Sequence, residues 1–147
     1  NIELVLKIYK LLKRTQLPNI DFEKIVDDFD FLEDWEDKYR YVIDEGKKMP
    51  LLDDSLKVDS NKVHGCASQV WLHFSISDTL HFDGDSDAII VKGLIAILRK
   101  LYNGTPVQEI KNISAFKHLK RLGLDDHLST QRSNGIKAMV ERINSFG

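Results

Sequence analysis

The most chemically distinctive residue of this sequence is its single cysteine, Cys66, in the stretch NKVHGCASQVWL at residues 61–72. A cysteine thiolate acts as a nucleophile and exchanges sulfur with other thiols and disulfides. Gly65 permits a tight turn or a close approach by another chain. Alternation of apolar residues starts only at Gln69, so Cys66 lies on the connection into a predicted strand. Loops often display reactive groups, whereas a free cysteine is more often a small buried apolar residue; both interpretations stay open here.

The cysteine count restricts the chemistry further. One cysteine rules out an intramolecular disulfide and a multi-thiolate site for zinc or an iron–sulfur cluster. The histidines show no HExxH-type spacing; they are His64, His73, His81, His118 and His127. The sequence therefore predicts no metal site and a reducing, cytoplasmic location.

Charge and hydropathy restrict the class of partner. The 21 basic and 23 acidic residues are interleaved and give a net charge of −2, which offers no electrostatic footprint for a phosphate backbone. No stretch reaches the roughly 20 consecutive apolar residues needed to span a bilayer. We therefore expect neither a nucleic acid nor a membrane as partner.

The first element predicted along the chain is an N-terminal helical extension over residues 1–15. Its sequence is apolar and basic, but its glutamate and the lack of a small-residue cleavage site favour an ordinary amphipathic helix over a targeting peptide. The apolar face is formed by Val5, Ile8, Tyr9 and Leu12.

Two helices are predicted between this extension and the cysteine. Asp21 is placed to cap a short one, and Asp34 to begin a longer one that ends at Gly46 and Pro50. The longer helix has its apolar residues at helical spacing, namely Trp35, Tyr39, Val42 and Ile43. Residues 51–62 are rich in Asp, Ser and Asn and predict an irregular linker.

The residues after Cys66 change to the period of a strand. Apolar residues alternate with others from Gln69, at Val70, Leu72, Phe74 and Ile76. A turn at residues 77–78 leads to a second alternating run over residues 79–84. This pattern predicts a hairpin with one buried face.

Further helices are predicted after the hairpin. The first, over residues 86–102, has Ser86 as N-cap and Asp87 in its first turn, and Asn-Gly at 103–104 stops it. A second begins with Thr105 as cap, Pro106 at the first position and Gln108 completing a capping box.

Two more helices complete the chain: one ends at Gly123, and the last runs from about Ser129 to Phe146. The order of helices, hairpin and helices predicts a single α+β domain over residues 1–147. The sheet of this domain is small and antiparallel, and consists of the hairpin with room for a short third strand. It packs against several helices, because an isolated hairpin is only marginally stable.

The segment around Cys66 resembles the signature of the SufE family, whose members accept sulfur from cysteine desulfurases in iron–sulfur cluster assembly. Three other segments resemble the family in the same order: WEDKYRYVIDEGKKMP, GDSDAIIVKGLIAIL and LSTQRSNGIKAMV. Together they cover most of the chain from about residue 20, and they imply a SufE/IscU-like fold. The last segment departs from the pattern at Thr130, where many relatives have proline.

The resemblance implies sulfur transfer through Cys66. A pyridoxal-phosphate-dependent desulfurase of the SufS or CsdA type holds sulfur as a persulfide, and Cys66 would take the outer sulfur and deliver it to a SufBCD-like scaffold. This step would stimulate the desulfurase. Pyridoxal phosphate belongs to that partner, so no cofactor is expected here, and the chain would be an accessory carrier, not an independent enzyme. Homodimers are frequent in the family.

The resemblance also implies roles around the cysteine. Arg132 matches the family's arginine and would stabilise the Cys66 thiolate or persulfide, or orient its loop, unless it is an ordinary surface arginine. Asp87 matches the family's aspartate, although a plain first-turn acid explains it as well. The residues expected to form the loop environment are His64, Gly65, Gln69 and Asp87. Sulfur exchange further predicts that Cys66 is sheltered in an apolar pocket at rest, in mildly electropositive surroundings, and can swing out.

Two other classes of function remain open from the residues. In a cysteine hydrolase or acyl transferase, Cys66 would be the nucleophile and a distant histidine the base, the candidates being His73, His81, His118 and His127. In a structural adaptor, Cys66 would be inert.

Overall fold

The computed structural model describes residues 1–14 and 19–147, with the backbone alone for residues 11–14. Helix α1 (Ile2–Arg14) confirms the predicted amphipathic helix. Residue 15 and the side chain of Leu12 lie outside the described residues. Val5 and Ile8, on the predicted apolar face, are 63% and 49% exposed, so this face is not buried against the domain.

Helices α2 (Ile20–Phe31) and α3 (Trp35–Lys48) follow. The cap of α2 is Asn19, whose Oδ1 accepts the Asp21 N–H at 3.0 Å, so the prediction of Asp21 as cap is wrong by two residues. Asparagine caps a helix as well as aspartate does, which makes the two positions hard to distinguish in the sequence. Asp34 caps α3 as predicted, and its Oδ1 accepts the Asp37 N–H at 2.9 Å.

Helix α4 (Ile89–Tyr102) packs directly against α3. A Cβ added to Gly46 would lie 2.7 Å from the Gly93 backbone nitrogen, and a Cβ added to Gly93 would lie 2.2 Å from the Val42 carbonyl oxygen. The two backbones therefore touch, and only glycine fits at the crossing. The prediction that Gly46 ends α3 is wrong: the helix continues to Lys48, because this glycine serves helix packing.

The sheet has three antiparallel strands in the order β1 (Val70–Ile76), β2 (Thr79–Ser86) and β3 (Thr105–Pro106). In the hairpin, Val70 pairs with Ser86 and Phe74 with Phe82. The predicted α+β fold, with a hairpin and a short third strand, is confirmed. Ile76, beside the turn, is 42% exposed, so the buried face ends before the tip of the hairpin.

The third strand corrects one helix prediction. Thr105 pairs with Leu80 and Pro106 with Thr79, and a 3-10 turn, Val107–Asn112, follows without a side-chain cap. A proline has no N–H to donate and is tolerated on an edge strand. Thr105 and Pro106 therefore end the sheet and do not begin an α-helix, and Gln108 completes no capping box.

The C-terminal helices agree with their predicted boundaries. Helix α5 (Ala115–Arg121) is followed by Gly123 at φ +74°, and α6 (Thr130–Asn144) begins after Ser129. Ser129 Oγ accepts the Arg132 N–H at 3.2 Å and so caps α6.

The buried residues form a continuous core between the sheet and the helices. Helix α4 contacts both α3 and β2, and α6 contributes its apolar face. Its buried members from the sheet, α4 and α6 include Val70, Leu72, Leu80, Phe82, Leu94, Ile95, Leu98, Ile136, Met139 and Ile143. No helix in residues 1–14 or 19–147 combines the length and the apolar character needed to cross a membrane.

Candidate functional site

Cys66 lies on a short loop, residues 64–69, that we call the cysteine loop. Its base is closed by a hydrogen bond from the Val63 N–H to the Val70 carbonyl at 2.9 Å and by an antiparallel bridge between Lys62 and Trp71. Gly65 has φ +93°, in the left-handed region that favours glycine. The predicted placement of Cys66 on a turn before the strand is therefore confirmed.

Asp87 fastens the C-terminal end of the cysteine loop. Its Oδ1 accepts the Gln69 N–H at 3.0 Å, and its own N–H donates to the Gln69 carbonyl at 3.4 Å. The prediction of Ser86 as N-cap and Asp87 as a first-turn residue is wrong, because β2 continues to Ser86 and α4 starts at Ile89. Asp87 occupies the junction between strand and helix, where its carboxylate faces the loop.

The Cys66 side chain is half-buried at a cavity of about 260 Å³. Its thiol donates to the Gly135 carbonyl oxygen, with Sγ and O 3.6 Å apart. Apolar lining comes from α4 and α6, and polar lining from the cysteine loop and the start of α6; the lining residues other than Cys66 are Ala67, Ser68, Val91, Leu94, Ser129, Gln131, Arg132, Gly135 and Met139. The shelter agrees with the expected resting position, although the lining is only partly apolar.

The electrostatic setting of Cys66 differs from the expectation. Burial raises the pKa of the Cys66 thiol, because desolvation disfavours the charged thiolate. Mildly electropositive surroundings would have lowered this pKa. Burial in the resting conformation therefore favours the protonated, less nucleophilic thiol over the thiolate.

The other predicted residues divide into two groups. Arg132, an exposed residue in the first turn of α6, lines the same cavity as Cys66. Gln69 contributes through its backbone at the base of the loop. His64 is exposed and lies outside the cavity lining. The structure thus places Arg132 on the wall of the cavity that holds Cys66 and leaves His64 outside that lining.

None of the histidines in the described part of the chain lines the cavity at Cys66. His127 stacks on Trp35, and His118 contacts Arg121. His81 contacts Thr79 through Nε2 at 3.2 Å, and His73 is part of β1. No imidazole of the described residues therefore lines the cavity beside Cys66.

A contact that the sequence did not predict holds the segment before α6. The Trp35 ring stacks on the His127 ring, with centroids 3.6 Å apart and planes 12° apart. The Tyr39 hydroxyl donates to the His127 carbonyl. This Trp35–Tyr39–His127 clasp ties residues 123–129 to α3. Ser129 and Arg132, which come soon after His127 in the chain, line the cavity. The helical spacing of Trp35 and Tyr39 was visible in the sequence, but their partner was not.

A second unpredicted cluster lies at the end of the hairpin. Asp85 pairs with Lys57 at 2.9 Å and with Lys92 at 3.6 Å, and its Oδ1 accepts the Ser86 N–H at 2.8 Å. Burial alone would raise the pKa of Asp85, but these hydrogen bonds and charges outweigh it and lower the pKa. The cluster joins the linker to the strand–helix junction that carries Asp87.

The chain has relatives that match it over most of its length. The family model of the SufE, Fe-S metabolism associated domain matches residues 23–146. An uncharacterized SufE-like protein of Rhizobium etli is 50% identical over 126 residues, which are 82% of this chain and 85% of that protein. A second, from Rhizobium meliloti, is 46% identical over 128 residues, 84% of this chain and 91% of that protein.

A solved structure shares the fold. The solution structure of a hypothetical protein from Thermus thermophilus aligns with a TM-score of 0.70 at 16% identity, covering 88% of this chain and 95% of that one. The family model and the identity to the Rhizobium proteins together extend over most of the sequence and include Cys66. The chain therefore belongs to the SufE family and has a sulfur-transfer role in iron–sulfur metabolism.

Proposed function

We propose that this protein accepts sulfur from a cysteine desulfurase as a persulfide on Cys66 and passes it to an iron–sulfur cluster scaffold. The observation that carries the proposal is the placement of the cysteine: it is the single thiol of a SufE-family chain, on a closed loop, half-buried beside a cavity. An inert core cysteine would need neither the loop nor the cavity.

The chemistry is thiol exchange at sulfur. The Cys66 thiolate attacks the outer sulfur of the persulfide on the desulfurase, and a bond forms between this sulfur and Sγ. The bond from the same sulfur to the desulfurase cysteine breaks, and that cysteine leaves as a thiolate with the electron pair. The exchange involves no net oxidation, so it requires no cofactor in this chain. Pyridoxal phosphate acts in the SufS- or CsdA-like partner.

The resting geometry gives one position for Cys66, and the proposed chemistry requires a second. In the sheltered position, burial raises the thiol pKa and the Gly135 carbonyl oxygen accepts a hydrogen bond from the thiol. Reaction requires the thiolate, so the cysteine loop moves outward, where solvent and the partner stabilise the charge. After transfer, the sheltered position protects the persulfide from other thiols.

Arg132 is the cation best placed to assist this cycle within the cavity lining. We propose that its guanidinium stabilises negative charge on the thiolate or persulfide. Because it is exposed at the first turn of α6, it can follow the sulfur as the loop moves.

The sulfur is then delivered to a SufBCD-like scaffold, and the chain works as an accessory carrier that stimulates its desulfurase. The reduced state that a single carrier thiol requires fits the cytoplasm.

The alternative of a cysteine hydrolase is less favoured, because the cavity lining, as far as the structure describes it, includes no histidine beside Cys66.

The test is incubation of the purified protein with a cysteine desulfurase, pyridoxal phosphate and L-cysteine, without reductant, followed by intact mass spectrometry. We expect an added mass of one sulfur atom that maps to Cys66, absent from the Cys66→Ser variant, together with faster desulfurase turnover. No adduct with several desulfurases would refute the carrier function. Turnover of small acyl esters by the protein alone would favour the hydrolase.

A further inference from the structure

Gly135 is a buried glycine inside α6, one turn after Arg132. Glycine destabilises a helix interior relative to alanine, so its presence there calls for a specific reason. At the α3–α4 crossing the reason is steric, because a Cβ on Gly46 or Gly93 would lie 2.7 or 2.2 Å from backbone atoms. Gly135 differs from both.

A Cβ added to Gly135 would make no clash. Its nearest neighbours would be Cys66 Sγ at 3.5 Å, Cys66 Cβ at 3.8 Å and Cys66 Cα at 3.9 Å, which are ordinary van der Waals distances. The resting packing therefore accepts alanine at this position. The three nearest atoms all belong to Cys66, so the space left open by the glycine adjoins this residue.

We propose that Gly135 determines the size of the Cys66 site by leaving space for the outer sulfur of a persulfide. This inference rests on the proposed carrier function and adds a residue that decides whether the loaded cysteine can be sheltered. Gly135 acts through the absence of a side chain and takes no part in the exchange chemistry.

The direction of the thiol supports this assignment. In a persulfide the outer sulfur replaces the thiol hydrogen, and that hydrogen is directed to the Gly135 carbonyl, 3.6 Å from Sγ. A sulfur–sulfur bond is about 2.0 Å long, so an outer sulfur on this line would come too close to the carbonyl oxygen and has to turn aside. The space of a side chain at 135 lies directly beside this line, 3.5 Å from Sγ. With a methyl group there, the loaded side chain would be overpacked.

The experiment compares Gly135→Ala with the wild-type protein and with Asn134→Ala. Asn134 is the exposed neighbour in α6, outside the cavity lining, so its alanine variant raises helix propensity without narrowing the site. Each protein is loaded with inorganic polysulfide: the Cys66 thiolate attacks one sulfur, a new sulfur–sulfur bond forms, and the shorter polysulfide leaves with the electron pair of the broken bond. Intact mass spectrometry gives the persulfide yield and its half-life in glutathione.

We expect Gly135→Ala to raise the Tm by about 2–4 °C, because alanine favours the helix. The alkylation rate of the resting thiol should be unchanged. The persulfide half-life in glutathione should fall about tenfold, the effect expected from one methyl group that overpacks a closed site. Asn134→Ala should retain the wild-type half-life.

Equal persulfide yields and half-lives in Gly135→Ala and the wild-type protein would overturn the inference. A lowered Tm or a changed alkylation rate of the resting thiol would overturn it as well, because the glycine would then be required by the resting structure. So would a wild-type protein whose thiol is alkylated but takes no sulfur from polysulfide. Loading by polysulfide without transfer from any desulfurase would refute the carrier function and leave the size assignment standing.

Discussion

Replacing Asp87 with alanine should release the C-terminal end of the cysteine loop. The substitution removes the hydrogen bond from the Gln69 N–H to Asp87 Oδ1, which is 3.0 Å long, and leaves the longer backbone contact between the two residues. A single hydrogen bond at an exposed position contributes about 1 kcal/mol, which corresponds to about a fivefold rise in the ratio of open to closed loop. Because Cys66 is half-buried in the closed loop, its reactivity should rise by the same factor.

The assay is the rate of Cys66 alkylation by iodoacetamide at constant pH. The chain has one cysteine, so the rate reports a single site. Asp87→Asn keeps an acceptor oxygen and should show a smaller increase. The matched control is Asp83→Ala on the preceding strand β2, which breaks the 2.8 Å ion pair to Arg99 of α4 without touching the loop. If Asp87→Ala and Asp83→Ala react at the wild-type rate, Asp87 does not hold the loop closed and the reasoning is wrong.

Three further predictions concern the frame of the site. Gly93→Ala should lower the free energy of unfolding in urea by about 3 kcal/mol or more, because its Cβ would lie 2.2 Å from the Val42 carbonyl oxygen; a neutral effect would contradict the backbone contact. The pH profile of Cys66 alkylation should have its inflection at a higher pH in the native protein than in the urea-unfolded chain, because burial raises the thiol pKa; an equal or lower inflection would refute the shift. Since the native state disfavours the thiolate, the free energy of unfolding should be constant below the pKa of the unfolded thiol and fall as the pH rises from that pKa through the native one. Tyr39→Phe should lower the free energy of unfolding by about 1 kcal/mol and speed amide hydrogen exchange in residues 123–129 more than in β1; an equal change in both segments would argue against the clasp at His127.

Much of the fold could be predicted from local sequence patterns. The period of two from Val70 and the cap at Asp34 depend on neighbours in the chain, and both predictions are confirmed. The errors occur where tertiary contacts outweigh local preference. Thr105 has the pattern of a helix start but pairs with Leu80, and Gly46 has the pattern of a helix stop but lies at a helix crossing.

The candidate site shows the same division. The turn that carries Cys66 was predicted from Gly65 and from the late start of the strand pattern, both local signals. The family resemblance placed Asp87 in the loop environment, but the local pattern predicted only a first-turn acid, because the contact joins the loop to a junction 18 residues away in the chain. The partner of Trp35 is also remote in the sequence, and the space at Gly135 exists only once α6 lies against the loop.

The crossing of α3 and α4 has a mechanical consequence for the proposed sulfur carrier. Backbones in direct contact cannot slide or separate without losing tight packing, so these two helices should move as one rigid body. Val91 and Leu94, on either side of Gly93 in α4, belong to this rigid body and also line the cavity. Trp35, in α3 of the same body, stacks on His127. The segment expected to move is then small: the cysteine loop moves against a rigid pair of helices. If the proposed carrier function holds, each cycle of loading and delivery returns the thiol to the same resting place without a change in the rest of the domain.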